Sequence, residues 1–221
     1  MIKVLPPLHA QLSDLYRINS QGYRSAEFTA PAFDSVWLFG CSYAFGWALA
    51  EQHTISHQLS VMLGEPVVNL AQGGSSIRYQ CDQLSLLLTQ GLRPSRVCVV
   101  WPDTARWPWY GSLGADQPRL SRDLYLAHTA CDQYMSRRAE LDITQFRLMC
   151  KLIGAPLAEL SWSPSVQQCI AGPRGFEGAV DWSFPQFDLA DDQQHPGPLS
   201  NRLACDEFML QWLEQGYPQV T

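Results

Sequence analysis

The run Arg96-Val97-Cys98-Val99-Val100-Trp101 is the strongest constraint on the fold of this chain. A strand built from it has no polar face to offer water, so both faces must be covered, which suits the centre of a parallel sheet. Three shorter apolar runs, Ser35 to Phe39, Pro66 to Leu70 and Pro156 to Leu160, read as further strands. Between them lie helical patterns. Phe45 to Leu63 turns Leu49, Ile55, Leu59 and Met62 inward, with a break near Gln52-His53-Thr54 and Gly64 as its stop. Ile77 to Leu88 is a second helix, ended by Gly91 and Pro94, and Leu124 to Ile153 a third, ended by Gly154. Residues 163–185 read as loop, and Ser200 to Trp212 closes the chain as a helix with Leu203, Phe208 and Leu213 inward. Alternating strands and helices imply an α/β fold, with a parallel sheet covered by helices on both faces.

The 221 residues fit one domain with room for insertions. Residues 1–33 read as an irregular N-terminal extension with a turn at Asn19 to Arg24. Residues 102–120, rich in Trp, Pro and Gly, read as a lid or binding loop. With a net charge of −6 and scattered arginines, the chain lacks the footprint of a nucleic-acid or anionic-membrane partner. No apolar run reaches the roughly 18 residues that cross a bilayer, and Pro6-Pro7 interrupts any leader-like core. Cytoplasmic location is the expectation. The 7 cysteines include no C-x-x-C pair, which argues against a disulfide framework and a zinc site. No phosphate-binding glycine loop occurs, so neither metal nor cofactor is expected. The oligomeric state is left open.

Chemistry-bearing residues gather where strands end. Gly40-Cys41-Ser42-Tyr43-Ala44-Phe45-Gly46 follows the first strand, Gln72-Gly73-Gly74-Ser75-Ser76 the second, and Pro102-Asp103 the third. Asp192-Gln193-Gln194-His195-Pro196-Gly197 precedes the last helix. Ligands of open parallel sheets bind beyond the carboxyl ends of the strands. A serine hydroxyl is a weak nucleophile until an imidazole takes its proton, and the imidazole needs a carboxylate to fix its tautomer. Ser42, His195 and Asp192 supply these three parts. Asp191 is an alternative carboxylate, and for Ser42 alone helix N-capping is the competing reading. The N–H groups of Ser42 and Gly74 are candidate oxyanion donors. The α/β-hydrolase elbow G-x-S-x-G is absent, because the second glycine lies four residues after Ser42.

These blocks resemble, in order, those of the SGNH (GDSL-like) hydrolases. Gly40 to Gly46 is similar to the family's G-D-S-x-x-x-G block with Cys41 in place of Asp. Asn69-Leu70-Ala71-Gln72-Gly73-Gly74 is similar to its Asn/Gly block, and Asp192-Gln193-Gln194-His195-Pro196 to its D-x-x-H block. The resemblance implies a flavodoxin-like three-layer α/β/α sandwich around a parallel sheet of about five strands. It implies Ser42 as nucleophile, His195 as base and Asp192 as its partner. The family's Asn donor after the third strand has no counterpart in Trp101-Pro102-Asp103-Thr104-Ala105-Arg106. Thr104, Arg106 or Asn69 are the substitutes at hand. Trp101, Asp103, Arg106 and Trp107 are candidate substrate contacts, Arg106 toward a carboxylate or sugar hydroxyls or else toward Asp103. Cys41 reads as a buried thiol in preference to a second nucleophile. The activity implied is serine-dependent hydrolysis of short acyl esters of a carbohydrate or other alcohol. An O-acyltransferase with the same triad, or a non-catalytic binding protein on the same scaffold, are the alternatives.

Overall fold

The computed structural model describes residues 2–7, 16–29, 33–104, 106, 132–171 and 183–217. Four parallel strands, β1 (Val36–Gly40), β2 (Val67–Asn69), β3 (Arg96–Trp101) and β4 (Leu157–Ser161), lie in the order β2-β1-β3-β4. The helices are α1 (Ser42–Phe45), α2 (Ile55–Leu63), α3 (Ile77–Thr89), α4 (Asp132–Ile153), α5 (Pro164–Ala171) and α6 (Pro198–Glu214). The order reverses direction between β1 and β3, so the crevice at a doubly wound sheet's switch point opens beyond Gly40 and Trp101.

The apolar strands divide their side chains strictly by period two. Trp37, Phe39, Val97, Val99 and Trp101 pack with Ile77, Cys81 and Leu84 of α3, Ile143 and Phe146 of α4, and Val166 and Ile170 of α5. Val36, Leu38, Cys98, Val100 and Leu160 face the other way, onto Phe45, Ile55, Leu59, Phe208 and Trp212 of α1, α2 and α6. The result is the three-layer α/β/α arrangement expected from the sequence. Four strands are present among the described residues where about five were expected; at the fifth position Ser183 makes a single parallel bridge to Ser161.

Three local expectations are corrected. The break expected near Gln52-His53-Thr54 is present, but the helix expected between Phe45 and that break is not, because Gly46 adopts a left-handed φ of 81° and closes α1 after one turn. The chain restarts at α2, where the Thr54 hydroxyl accepts from His57 N–H. Residues 164–171, expected as loop, form α5: Pro164 begins it, and Val166, Cys169 and Ile170 supply an i, i+3, i+4 apolar face. In α6 the inward face is Ala204, Cys205, Phe208 and Trp212, with Leu213 turned 38% to solvent. The stretch 124–131 of the expected third helix lies outside the described residues, as does most of the loop 102–120.

The free edge of β4 is closed by side chains. Gln211 and Gln215, one turn apart on α6, each pair both amide atoms with backbone. Gln211 accepts from Glu159 N–H (2.8 Å) and donates to Glu159 C=O (2.9 Å). Gln215 does the same at Leu157 (3.2 and 2.8 Å). Two residues further on, Phe184 N–H takes the Ser161 carbonyl at 2.9 Å. Each glutamine thus completes the ladder as a strand would, and removes the template an open edge offers. Gln211→Met keeps the length but leaves two buried backbone groups of Glu159 unpaired. The expected loss is about 2 kcal/mol, read from the midpoint of urea unfolding.

Candidate active site

Beyond β1 the chain must turn sharply into α1. Gly40 has φ 147°, in the region reserved for glycine. A Cβ there would lie 2.7 Å from Ala44 Cβ and 2.8 Å from the Val100 carbonyl oxygen. The Gly40 carbonyl accepts from Gln72 N–H (3.0 Å), the Ser75 hydroxyl (3.0 Å) and the Gln80 side-chain amide (3.1 Å). The Gln80 carbonyl in return accepts from Gly40 N–H at 3.2 Å. Ser42 follows two residues later as the first residue of α1, 7% exposed. Its N–H, in the first helical turn, has no partner inside the helix. Cys41 precedes it, fully buried and without a side-chain capping bond.

The second half of the site is a hairpin. Leu189 and Pro196 form an antiparallel bridge, closed by hydrogen bonds Ala190 N–H to His195 C=O (2.8 Å) and Gly197 N–H to Asp188 C=O (2.9 Å). At its tip, Gln193 takes a left-handed φ of 57°. Asp192 Oδ1 accepts from Gln194 N–H and His195 N–H (3.0 and 3.1 Å), while Oδ2 meets His195 Nδ1 at 2.6 Å. Partial burial alone would raise the Asp192 pKa, but the His195 ring and the two backbone donors outweigh it and hold the carboxyl below its ordinary value. An ionised Asp192 only accepts, so Nδ1 carries a hydrogen, and in the neutral imidazole Nε2 then holds the lone pair. Asp191 is exposed and makes no bond to His195.

Aromatic rings join the halves. The His195 ring lies 5.7 Å from Tyr43 and 6.2 Å from Trp47, measured between centroids. Tyr43 neighbours Ser42 in α1, and Trp47 N–H donates to the Ser42 carbonyl at 3.1 Å. Tyr43 also contacts Trp162 and Phe184. No hydrogen bond joins Ser42 Oγ to His195 among the described contacts. Burial raises the Tyr43 pKa, as do Cys41 and Asp192, against the opposing charge of Arg106, so the phenol stays protonated.

The other sequence candidates are distributed unevenly. Gly74 (φ 75°) is exposed in a turn closed by Ser75 N–H on the Gln72 carbonyl (3.1 Å), beside the Gly40 clamp. Asn69 is buried: its amide reaches the Ala44 carbonyl and the Ser56 hydroxyl, both at 3.4 Å, and its oxygen accepts from Ala71 N–H. It ties β2 to α1 and presents no donor to a ligand. Trp101 is also in the core, fully buried, its indole N–H on Glu159 at 2.8 Å and its ring on Phe146. That placement corrects its reading as a substrate contact. Asp103 accepts from the Ser163 hydroxyl at 2.6 Å, and Thr104 reaches Ser165. Arg106 lies over Trp162, 5.6 Å from its ring centroid. Trp107 lies outside the described residues.

Several residues near the site carried no motif. Tyr43 and Trp47 are spaced i, i+4, a signal that two aromatics share a face. Gln80 and Asp188 left no local signal. Asp188 accepts from Leu199 N–H, Ser200 N–H and the Ser200 hydroxyl (2.9, 2.7 and 2.6 Å), capping α6 from the base of the hairpin. A Cβ at Gly197 would meet its carboxylate at 2.5 Å.

No protein-family model matches the chain, and no curated protein matches it in sequence. Solved structures do match in fold. TesA superposes with a TM-score of 0.51 at 13% identity, over 80% of this chain and 97% of its own. The psychrotrophic esterase EstA from Pseudoalteromonas sp. gives 0.52 at 14%, over 82% and 99%. A carbohydrate esterase family 2 enzyme from Corynascus thermopiles (Myceliophthora fergusii), solved with a carbohydrate binding domain, gives 0.52 at 14%, over 83% and 67%. The chain has the fold of the SGNH (GDSL-like) hydrolases.

Two outcomes follow from the geometry. Gly40→Ala forces a side chain into a left-handed backbone against the Val100 carbonyl and should cost about 2–3 kcal/mol, measured by thermal unfolding. Burial opposes ionisation of Asp188, but its bonds to Ser200 and Leu199 prevail and lower its pKa. Its stabilisation is therefore full above the unfolded carboxyl value of about 3.9 and fades as pH falls through the lower folded value. Asp188→Asn should be less stable than the natural chain at pH 7, and urea midpoints taken from pH 7 to pH 2.5 should show the gap closing only below about pH 4.

Proposed function

We propose that the chain is a serine esterase that works through an acyl-enzyme on Ser42. One observation carries the reading: an Asp192–His195 pair, 2.6 Å apart, stands against the aromatic side chains of the very turn that Ser42 begins. His195 Nε2 takes the Ser42 hydroxyl proton as Oγ attacks the ester carbonyl. The tetrahedral oxyanion is held by the N–H groups of Ser42 and Gly74, both at the carboxyl edge of the sheet. The imidazolium, stabilised by Asp192, then gives its proton to the leaving alcohol. Water repeats the cycle on the acyl-enzyme: His195 deprotonates it, hydroxide adds to the carbonyl, and Ser42 leaves with the proton returned. Catalytic hydrogen bonds of ligand-free sites commonly tighten only in the substrate complex, so closure of Ser42 Oγ on His195 belongs to that step.

The substrate class proposed is a short acyl ester of a carbohydrate or other alcohol. The shared fold with a carbohydrate esterase supports it, as do the aromatic rings of Tyr43, Trp47 and Trp162 around the imidazole. Ser42→Ala should abolish both hydrolysis of 4-nitrophenyl acetate and labelling by a serine-directed phosphonate. Asp192→Asn should retain labelling at a much lower rate and lose on the order of 10⁴-fold in kcat. Full activity in Ser42→Ala overturns the assignment.

A further inference from the structure

Two hydrogen-bond donors next to the site have no partner among the described residues. They are Arg106 Nη1 and Trp162 Nε1, both buried. They belong to touching side chains, the guanidinium carbon lying 5.6 Å from the indole centroid. Trp162 in turn lies 5.4 Å from Tyr43 at an interplanar angle of 31°, and Tyr43 contacts His195. Trp162 is therefore two ring contacts from the imidazole, and Arg106 one contact further. Both follow strand ends, Arg106 beyond β3 and Trp162 immediately after β4, where the switch-point crevice opens.

Buried donors left unbonded are costly, and an arginine keeps its charge even where burial opposes it. The indole face satisfies the guanidinium plane through a cation–π contact but leaves the in-plane Nη1 donor unused. No carboxylate among the described residues pairs with Arg106, and the nearby Asp103 takes a hydroxyl of Ser163. In a chain of net charge −6, an arginine that has no counter-charge among the described residues and stands beside a candidate site can receive an anion.

We propose that Arg106 and Trp162 form a subsite for a carboxylate carried by the ester substrate, so that the preferred substrates are acidic esters. The guanidinium fork supplies the charge and in-plane donors, and the indole N–H supplies a further donor with fixed direction. The location of the subsite rests on the esterase reading; its capacity to bind a carboxylate does not.

The test compares matched esters differing by one carboxylate. An O-acetylated methyl glucuronide is set against the O-acetylated methyl glucoside, placing the charge on the alcohol. Mono-4-nitrophenyl adipate is set against 4-nitrophenyl hexanoate, placing it on the acyl group. The acidic member of at least one pair should be favoured about tenfold or more in kcat/KM, and the pair that responds identifies which part carries the charge. Arg106→Gln should bring that ratio towards one, and Trp162→Phe should lower it by less. Calorimetric titration of the Ser42→Ala protein with methyl glucuronide, methyl glucoside and adipate gives a readout independent of turnover. Ratios near one in both pairs together with no preference for either acid in the titration overturn the subsite, as does a preference that survives in Arg106→Gln. Absence of hydrolysis with all esters, alongside Arg106-dependent binding of an acid, sinks the esterase reading and leaves the subsite standing.

Discussion

The carbonyl oxygen of Gly40 is the point on which the site is hung. It accepts from the Gln72 N–H, the Ser75 hydroxyl and the Gln80 amide, three donors delivered by the β2–α3 connection and by α3 itself. The same glycine lies against the Val100 carbonyl of β3, closer than any side chain allows. One residue thus fixes the end of β1 to both neighbouring strands and to the helix layer beneath. Ser42, two positions on, inherits that fixity, and so does the Gly74 turn, whose Ser75 is part of the clamp. The proposed nucleophile and oxyanion donors are held by one hydrogen-bond network on a rigid sheet edge, which is what preorganisation requires.

The proposed base is held differently. Asp192 and His195 occupy the tip of a hairpin whose base is fastened to the start of α6 through Asp188. No backbone ladder links this hairpin to β1. Its contact with the Ser42 side is aromatic, through Tyr43 and Trp47. Ring contacts are less directional than hydrogen bonds, so the imidazole can shift against α1 without breaking the Asp192 pair. A fixed Ser42 and an adjustable His195 suit the proposed roles, in which their hydrogen bond forms in the substrate complex.

Where a residue's role was decided by local pattern, the sequence was legible. The limits of β3 coincide with its apolar run, because only a strand buried on both faces is built that way. The hairpin pair Asp192/His195 was readable because the two act within one turn. Other roles depended on which face a residue took. Trp101 sits beside the site in sequence but shares the period-two face of Val97 and Val99, and that parity sends it into the core. Asn69 carries the right functional group, yet its amide is committed to Ala44 and Ser56 across the layer boundary. Eight residues opened by a proline looked like loop, although Val166, Cys169 and Ile170 carried the helical spacing of α5. Gln80 was out of reach altogether, since an amide pairing with a backbone 40 positions away leaves no local pattern.

Glutamine amides finish this sheet at three places: Gln80 at Gly40, Gln211 at Glu159 and Gln215 at Leu157. An amide offers one donor and one acceptor and carries no charge at any pH the protein meets. A carboxylate or ammonium in its place could match only one of the two backbone groups, and its contribution would vary with acidity and ionic strength. These three attachments are consequently indifferent to both variables. Acid or salt can alter the hairpin carboxylates and the proposed Arg106 subsite while the amide bonds that hold Gly40, two residues before Ser42, persist.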